Sequence, residues 1–124
     1  AAWFGTERAL PKPVREAYAG VYDGWDNAIS TLRFMQDIPL HEGDRAWALL
    51  KASETALPGY HDRPVFIGWG LRDFVFDAHF LAGFRRALPR ALVRDFEDAG
   101  HYVLEDKHEV LVPAIRRFLD ANPA

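Results

Sequence analysis

The hydrophobic pattern changes character near Pro58-Gly59, a turn signal followed by the polar run YHDRP. Before that point apolar residues recur at helical spacing. Val14, Ala17, Tyr18 and Val21 form one stripe, and Ala28, Ile29, Leu32 and, less regularly, Phe34 form another. Pro11 and Pro13 suit a helix start, Asp26 or Asn27 is the expected N-cap of a second helix, and Pro39 breaks that helix. Asp44 is the expected cap of a third helix in GDRAWALLKASETAL. After residue 58 short apolar runs alternate with amphipathic stretches. PVFIGWG (64–70) predicts a strand buried on both faces. DAHFLAGFRRAL (77–88) places Phe80, Leu81, Phe84 and Leu88 on one helical face behind Asp77 as N-cap, and Pro89 ends it. ALVRDFED (91–98) predicts a second strand. In EVLVPAIRRFLDA, Val110, Leu111, Ala114, Ile115, Phe118 and Leu119 share a face, and Pro113 requires that helix to start within the previous turn.

An all-helical first half followed by strand, helix, strand, helix predicts an α/β fold with parallel strands and right-handed crossovers. Two strands alone leave open edges and an uncovered face, so the second half is expected to be the end of a larger sheet. With Val65 to Trp69 at such an edge, the isolated chain is expected to associate with itself or with a missing N-terminal half. No internal repeat or low-complexity tract is present.

Composition narrows the picture. The 124 residues suffice for one domain, and a content of 49% hydrophobic and 14% aromatic residues can build a core. A formal charge of −3, from 15 basic and 18 acidic residues without long single-sign runs, indicates neither nucleic acid nor anionic membrane as partner. The absence of cysteine excludes disulfides, thiolate nucleophiles and Cys-ligated zinc. Apolar runs far shorter than a bilayer span and the lack of a signal pattern lead to the expectation of a soluble, cytoplasmic protein. The opening AAWFGTERAL, without an initiator Met, points to an upstream segment.

In open parallel sheets, ligands gather at the carboxyl ends of the strands, and Asp73 and His101 both fall there. A carboxylate that accepts the Nδ1 proton of a histidine fixes its tautomer and leaves Nε2 free to act as base. Gly100 is expected to allow a tight turn before His101. Read singly, each residue is more often a turn or cap residue than a catalytic one; the catalytic reading gains its weight from the two together at matching strand ends. His79 and His108 fall on helix or cap positions and His41 and His61 in loops, where they read as structural or solvated; Asp77 with His79 is too few ligands for a metal shell. Glu105 and Asp106 read as a polar first turn of the last helix, favoured by its dipole. Trp3, Phe4, Tyr18, Tyr22, Trp25, Phe34 and Trp47 read as packing residues, although a lid over an apolar pocket uses the same types.

RPVFIGWGLRDFVFD followed by LPRALVRDFEDAGHYVLEDKHEVLVPAIRRFL resembles the C-terminal part of the α/β-hydrolase fold. There a Trp-Gly-x-x-Asp turn supplies the acid of a catalytic triad and an Ala-Gly-His turn the base. VYDGWDNAISTLRFMQDIPLHEGD resembles the end of the helical cap in the haloalkane dehalogenase branch, including relatives that act on β-lactones in olefin biosynthesis. The resemblance implies a division into residues 1–57, the end of the cap and its return to the core, and residues 58–124, the last two strands with their helices. It implies Asp73 as triad acid, His101 as general base, no cofactor, and a small apolar ester, haloalkane or lactone as substrate. The nucleophile of such enzymes, Asp or Ser, sits on an elbow turn. No G-x-S-x-G or G-x-D-x-G pentapeptide occurs in the sequence, so this chain alone is expected to be inactive. The competing expectation is a non-catalytic interaction or assembly domain that keeps part of the fold. A nucleotide-binding module is disfavoured by the lack of a Gly-rich phosphate loop.

Overall fold

A computed structural model describes residues 4–123. Trp3 therefore lies outside the described residues. Helices α1 (Lys12–Gly20), α2 (Trp25–Gln36) and α3 (Trp47–Ala56) lead through a 3-10 turn (Leu57–Tyr60) into β1 (Phe66–Gly70), α4 (Ala78–Ala87), β2 (Leu92–Phe96) and α5 (Val103–Ala121). The strands pair in parallel with Phe66 opposite Leu92 and Gly70 opposite Phe96. This mixed architecture is the C-terminal part of an α/β-hydrolase fold, with α4 as the crossover. Among the described residues no helix is long and apolar enough to cross a membrane.

Alternation along β1 sends Phe66 and Gly68 to one face of the sheet and Trp69 to the other. Phe118 of α5 packs on Phe66 with ring centroids 5.6 Å apart, and Phe84 of α4 packs on Trp69 at 5.7 Å. The two helices thus cover opposite faces. The interior gathers Leu81 and Leu88 with Leu111, Ala114, Ala99 and Leu10. Apart from Gly70, β1 is only half-buried, contrary to the expectation of a strand buried on both faces, because among the described residues only one of its edges has a neighbouring strand. The apolar face of α5 also divides: Leu111 and Ala114 are buried, whereas Val110 and Leu119 are exposed.

Helix starts show where local signals lose to competing partners. Asp77 caps α4 as expected, its carboxylate accepting from the His79 N–H at 2.9 Å. Neither Asp26 nor Asn27 caps α2; Gly24 does, and Asp26 lies in the first turn, where its charge still suits the dipole. Asp44 does not cap α3 either. Its carboxylate turns back to accept the Leu40 and His41 N–H groups at 2.6 and 2.7 Å, and Ala46 occupies the cap position. Pro113 lies deep inside α5 rather than in its first turn. Lys107 (φ −133°, ψ 25°) interrupts the helix six residues earlier, so α5 consists of two helical pieces joined at a kink.

Candidate active site

Where β1 ends, Gly70 brings the chain against the turn that follows β2. A Cβ on Gly70 would stand 2.2 Å from the Gly100 carbonyl oxygen and 2.5 Å from that of Ala99, so only glycine fits this approach. The Leu71 N–H donates to the Phe96 carbonyl at 2.9 Å and the Arg72 N–H to the Ala99 carbonyl at 3.0 Å, joining the two turns backbone to backbone. These bonds set the distance between the side chains that follow.

Asp73 and His101 meet there. His101 Nδ1 lies 2.9 Å from Oδ2 and 3.0 Å from Oδ1 of Asp73. An ionised carboxylate only accepts, so the ring carries a proton on Nδ1; in the neutral ring Nε2 is then the acceptor. Among the described residues Nε2 has no hydrogen-bond partner. The Asp73 carboxylate is also anchored locally, Oδ1 accepting the Val75 and Phe76 N–H groups at 2.8 and 2.9 Å in an Asx-type turn. Burial by itself pushes the Asp73 carboxyl up; the N–H groups of Phe76 and Val75 and the His101 ring outweigh that and hold it below the ordinary carboxylate range.

Aromatic rings surround the imidazole. The centroids of Phe74, Phe76 and Tyr102 lie 6.1, 5.7 and 5.5 Å from that of His101. Trp69 Nε1–H donates to the Phe76 carbonyl at 3.1 Å, and Phe80 meets the Phe76 ring edge-on at 5.2 Å. The imidazole of His101 thus sits at the rim of an apolar surface, and among the described residues its Nε2 is unengaged.

No family model matches the chain. Over 123 residues, 99% of its length, it is 66% identical to the cis-3-alkyl-4-alkyloxetan-2-one decarboxylase of Xanthomonas campestris. It is 45% identical over 120 residues, 96% of its length, to the protein of the same name from Shewanella oneidensis. The chain is a homologue of these decarboxylases. It spans 41% and 38% of the lengths of those two relatives.

Gly100 shows no left-handed backbone; its lack of a side chain matters because a Cβ would come 2.9 Å from the Gly5 carbonyl oxygen. His79 at the start of α4, His108 on α5, and His41 and His61 in turns stay apart from the Asp73–His101 pair. Phe4, Tyr22, Trp25 and Phe34 are exposed rather than packed, whereas Tyr18 stacks on Tyr102 with centroids 5.6 Å apart.

Asp106 goes furthest beyond its reading as part of a polar first turn of the last helix. It is fully buried, and its carboxylate accepts the backbone N–H groups of Glu7, Arg8 and Gly100. The kink at Lys107 hides this from periodicity: Asp106 and Leu111 are both buried five residues apart, a spacing that an unbroken helix does not put on one face. The tight approach at Gly70 supplies a direct test. In the full-length protein, Gly70→Ala should push the two turns apart, costing about 1–3 kcal/mol of stability. Because it moves Asp73 relative to His101, turnover should fall on the order of a hundredfold. An unchanged melting temperature with turnover within twofold of wild type would show that the two turns do not depend on this approach.

Proposed function

We propose that this chain supplies the acid–base pair of an α/β-hydrolase-fold enzyme acting on β-lactones, with Asp73 as charge partner and His101 as general base. Residues 1–57 form the end of its helical cap and the return to the core; residues 58–124 form the last strand–helix–strand–helix unit. The observation that carries this reading is the Asp73–His101 pair, with Nδ1 2.9 Å from the carboxylate, on neighbouring parallel strand ends, and with Nε2 unengaged among the described residues. The nucleophile belongs to the rest of the full-length protein, and the chain by itself has no triad turnover.

Similarity to oxetan-2-one decarboxylases favours a lactone over a haloalkane or a simple ester. Decarboxylation of a 3,4-dialkyl oxetan-2-one breaks the ring C4–O bond and the C2–C3 bond. Carbon dioxide leaves, and C3 and C4 become an alkene. Neither water nor a proton appears in that sum. Any proton that His101 accepts must therefore be returned within the cycle, which an imidazole held in one tautomer by Asp73 can do. Hydrolysis would use the same base differently, to activate water, and would yield a β-hydroxy acid. Phe74 and Phe76 beside His101, with Phe80 edge-on to Phe76, are exposed and offer an apolar surface for the alkyl substituents.

The test is product analysis of the full-length protein with a cis-3,4-dialkyl oxetan-2-one in 18O-labelled water. Alkene and carbon dioxide, with no labelled hydroxy acid, are expected. Labelled hydroxy acid as the main product would replace decarboxylation with hydrolysis, and an unconsumed lactone would overturn the substrate assignment.

A further inference from the structure

The triad reading leaves Asp106 unused, although it is a fully buried carboxylate. Buried carboxylates are retained where their hydrogen bonds do something specific, because an unpaired one is costly. At Asp106 both oxygens are engaged by main-chain donors: Oδ1 by Glu7 N–H at 3.0 Å and Arg8 N–H at 2.9 Å, Oδ2 by Glu7 N–H at 3.1 Å and Gly100 N–H at 2.8 Å. A side chain in the first turn of a helix leans toward the helix N-terminus, which is how Asp106 reaches back over the turn that precedes α5.

These bonds bracket His101. On one side Gly100 N–H is held by Asp106; on the other, Tyr102 N–H donates to the Gly5 carbonyl at 2.7 Å. The segment 5–8 is thus the common anchor, and Asp106 fixes that anchor to the turn. The same segment reaches the acid side of the pair, since Glu7 pairs with Arg72 at 2.6 Å, one residue before Asp73. It continues through buried Leu10 into α1, whose Tyr18 stacks on Tyr102 and donates to Glu105 at 2.7 Å.

We propose that Asp106 is a positioning residue: by clamping segment 5–8 onto the Gly100–Tyr102 turn it sets the orientation of the His101 ring against Asp73. The clamp also makes the placement of the base depend on the docking of the first helix. This rests on the assignment of His101 as base, and the experiment separates the two.

In the full-length protein, the Nδ1-bound proton of His101 is followed by NMR, identified by its loss in His101→Ala, alongside steady-state kinetics for wild type, Asp106→Asn and Asp106→Glu. Asn keeps the shape but turns an NH2 donor toward backbone N–H groups; Glu keeps the acceptors and displaces them by one methylene. The Nδ1 proton signal is expected to shift in Asp106→Asn or to exchange with water at least about tenfold faster. A fall in kcat of about ten- to a hundredfold should accompany this, with KM within about threefold of wild type. Asp106→Glu should show a smaller change in the same direction, and it decides the matter if Asp106→Asn does not fold. A folded variant with an unshifted His101 signal and kcat within twofold of wild type would overturn the proposal, leaving Asp106 a purely structural tie. If His101→Ala keeps its activity, the base assignment fails, while the NMR comparison still decides whether Asp106 orients the ring.

Discussion

In the full-length enzyme, His101→Ala is expected to remove at least about a thousandfold of turnover while leaving the protein folded. The separation of activity from stability follows from how the ring is held. Its hydrogen bonds among the described residues go to Asp73 alone, and the Asp73 carboxylate keeps the Val75 and Phe76 N–H groups when the ring is gone. The partly buried carboxylate loses one partner, which costs at most about 1–3 kcal/mol, a fraction of the stability of an intact domain. Alkene release measured beside a thermal melt checks both halves of the expectation. A folded variant that keeps more than a tenth of wild-type turnover would eliminate His101 as the base.

Asp73→Asn is expected to cost about a hundred- to ten-thousandfold in kcat, less than removal of the base. Oδ1 can keep its bonds to Val75 and Phe76, so the turn should persist. The other position, which now accepts from His101 Nδ1 at 2.9 Å, becomes an NH2 donor in one amide orientation. The ring must then carry its proton on Nε2, and the nitrogen needed as acceptor is lost. The same substitution changes the response to acid. Because the folded-state Asp73 carboxyl is held below its ordinary value, it contributes stability that is present above the unfolded value, about pH 3.9, and lost as pH falls through the folded one. Acid unfolding should therefore be steeper for wild type than for Asp73→Asn below about pH 4. Superimposable acid unfolding curves would remove the energetic basis for the pair, and retained kcat would remove its role in orienting the imidazole.

Much of the core half was legible from residue order. Glycine after an apolar run, a cap with an amphipathic helix behind it, and a second short run define local conformations strongly enough that β1, Asp77 and α4, β2 and much of α5 fall where the pattern places them. The helical half was legible as helices but not at their starts. Asp44 accepts from the nearer Leu40 and His41 N–H groups instead of capping the helix it precedes, and Asn27, already inside α2, donates its side-chain amide to Asp23 Oδ1; such residues take whichever backbone or side-chain partner the local turn presents.

For the site, the sequence by itself determined the residue types and their order: an aspartate after one strand, a histidine after the next, no cysteine and no G-x-S-x-G or G-x-D-x-G pentapeptide within these 124 residues. Only the tertiary structure decided the rest. That Asp73 and His101 touch depends on a parallel pairing that aligns Gly70 with Phe96 and on the backbone bond from Arg72 to Ala99. Asp106 meets Glu7 across 99 residues of chain, at a position where the break at Lys107 shifts the register of the buried face. Periodicity reports which residues share a face of one element; it carries no information about which distant segment closes over that face, because the partner is chosen by packing and hydrogen-bond satisfaction in three dimensions.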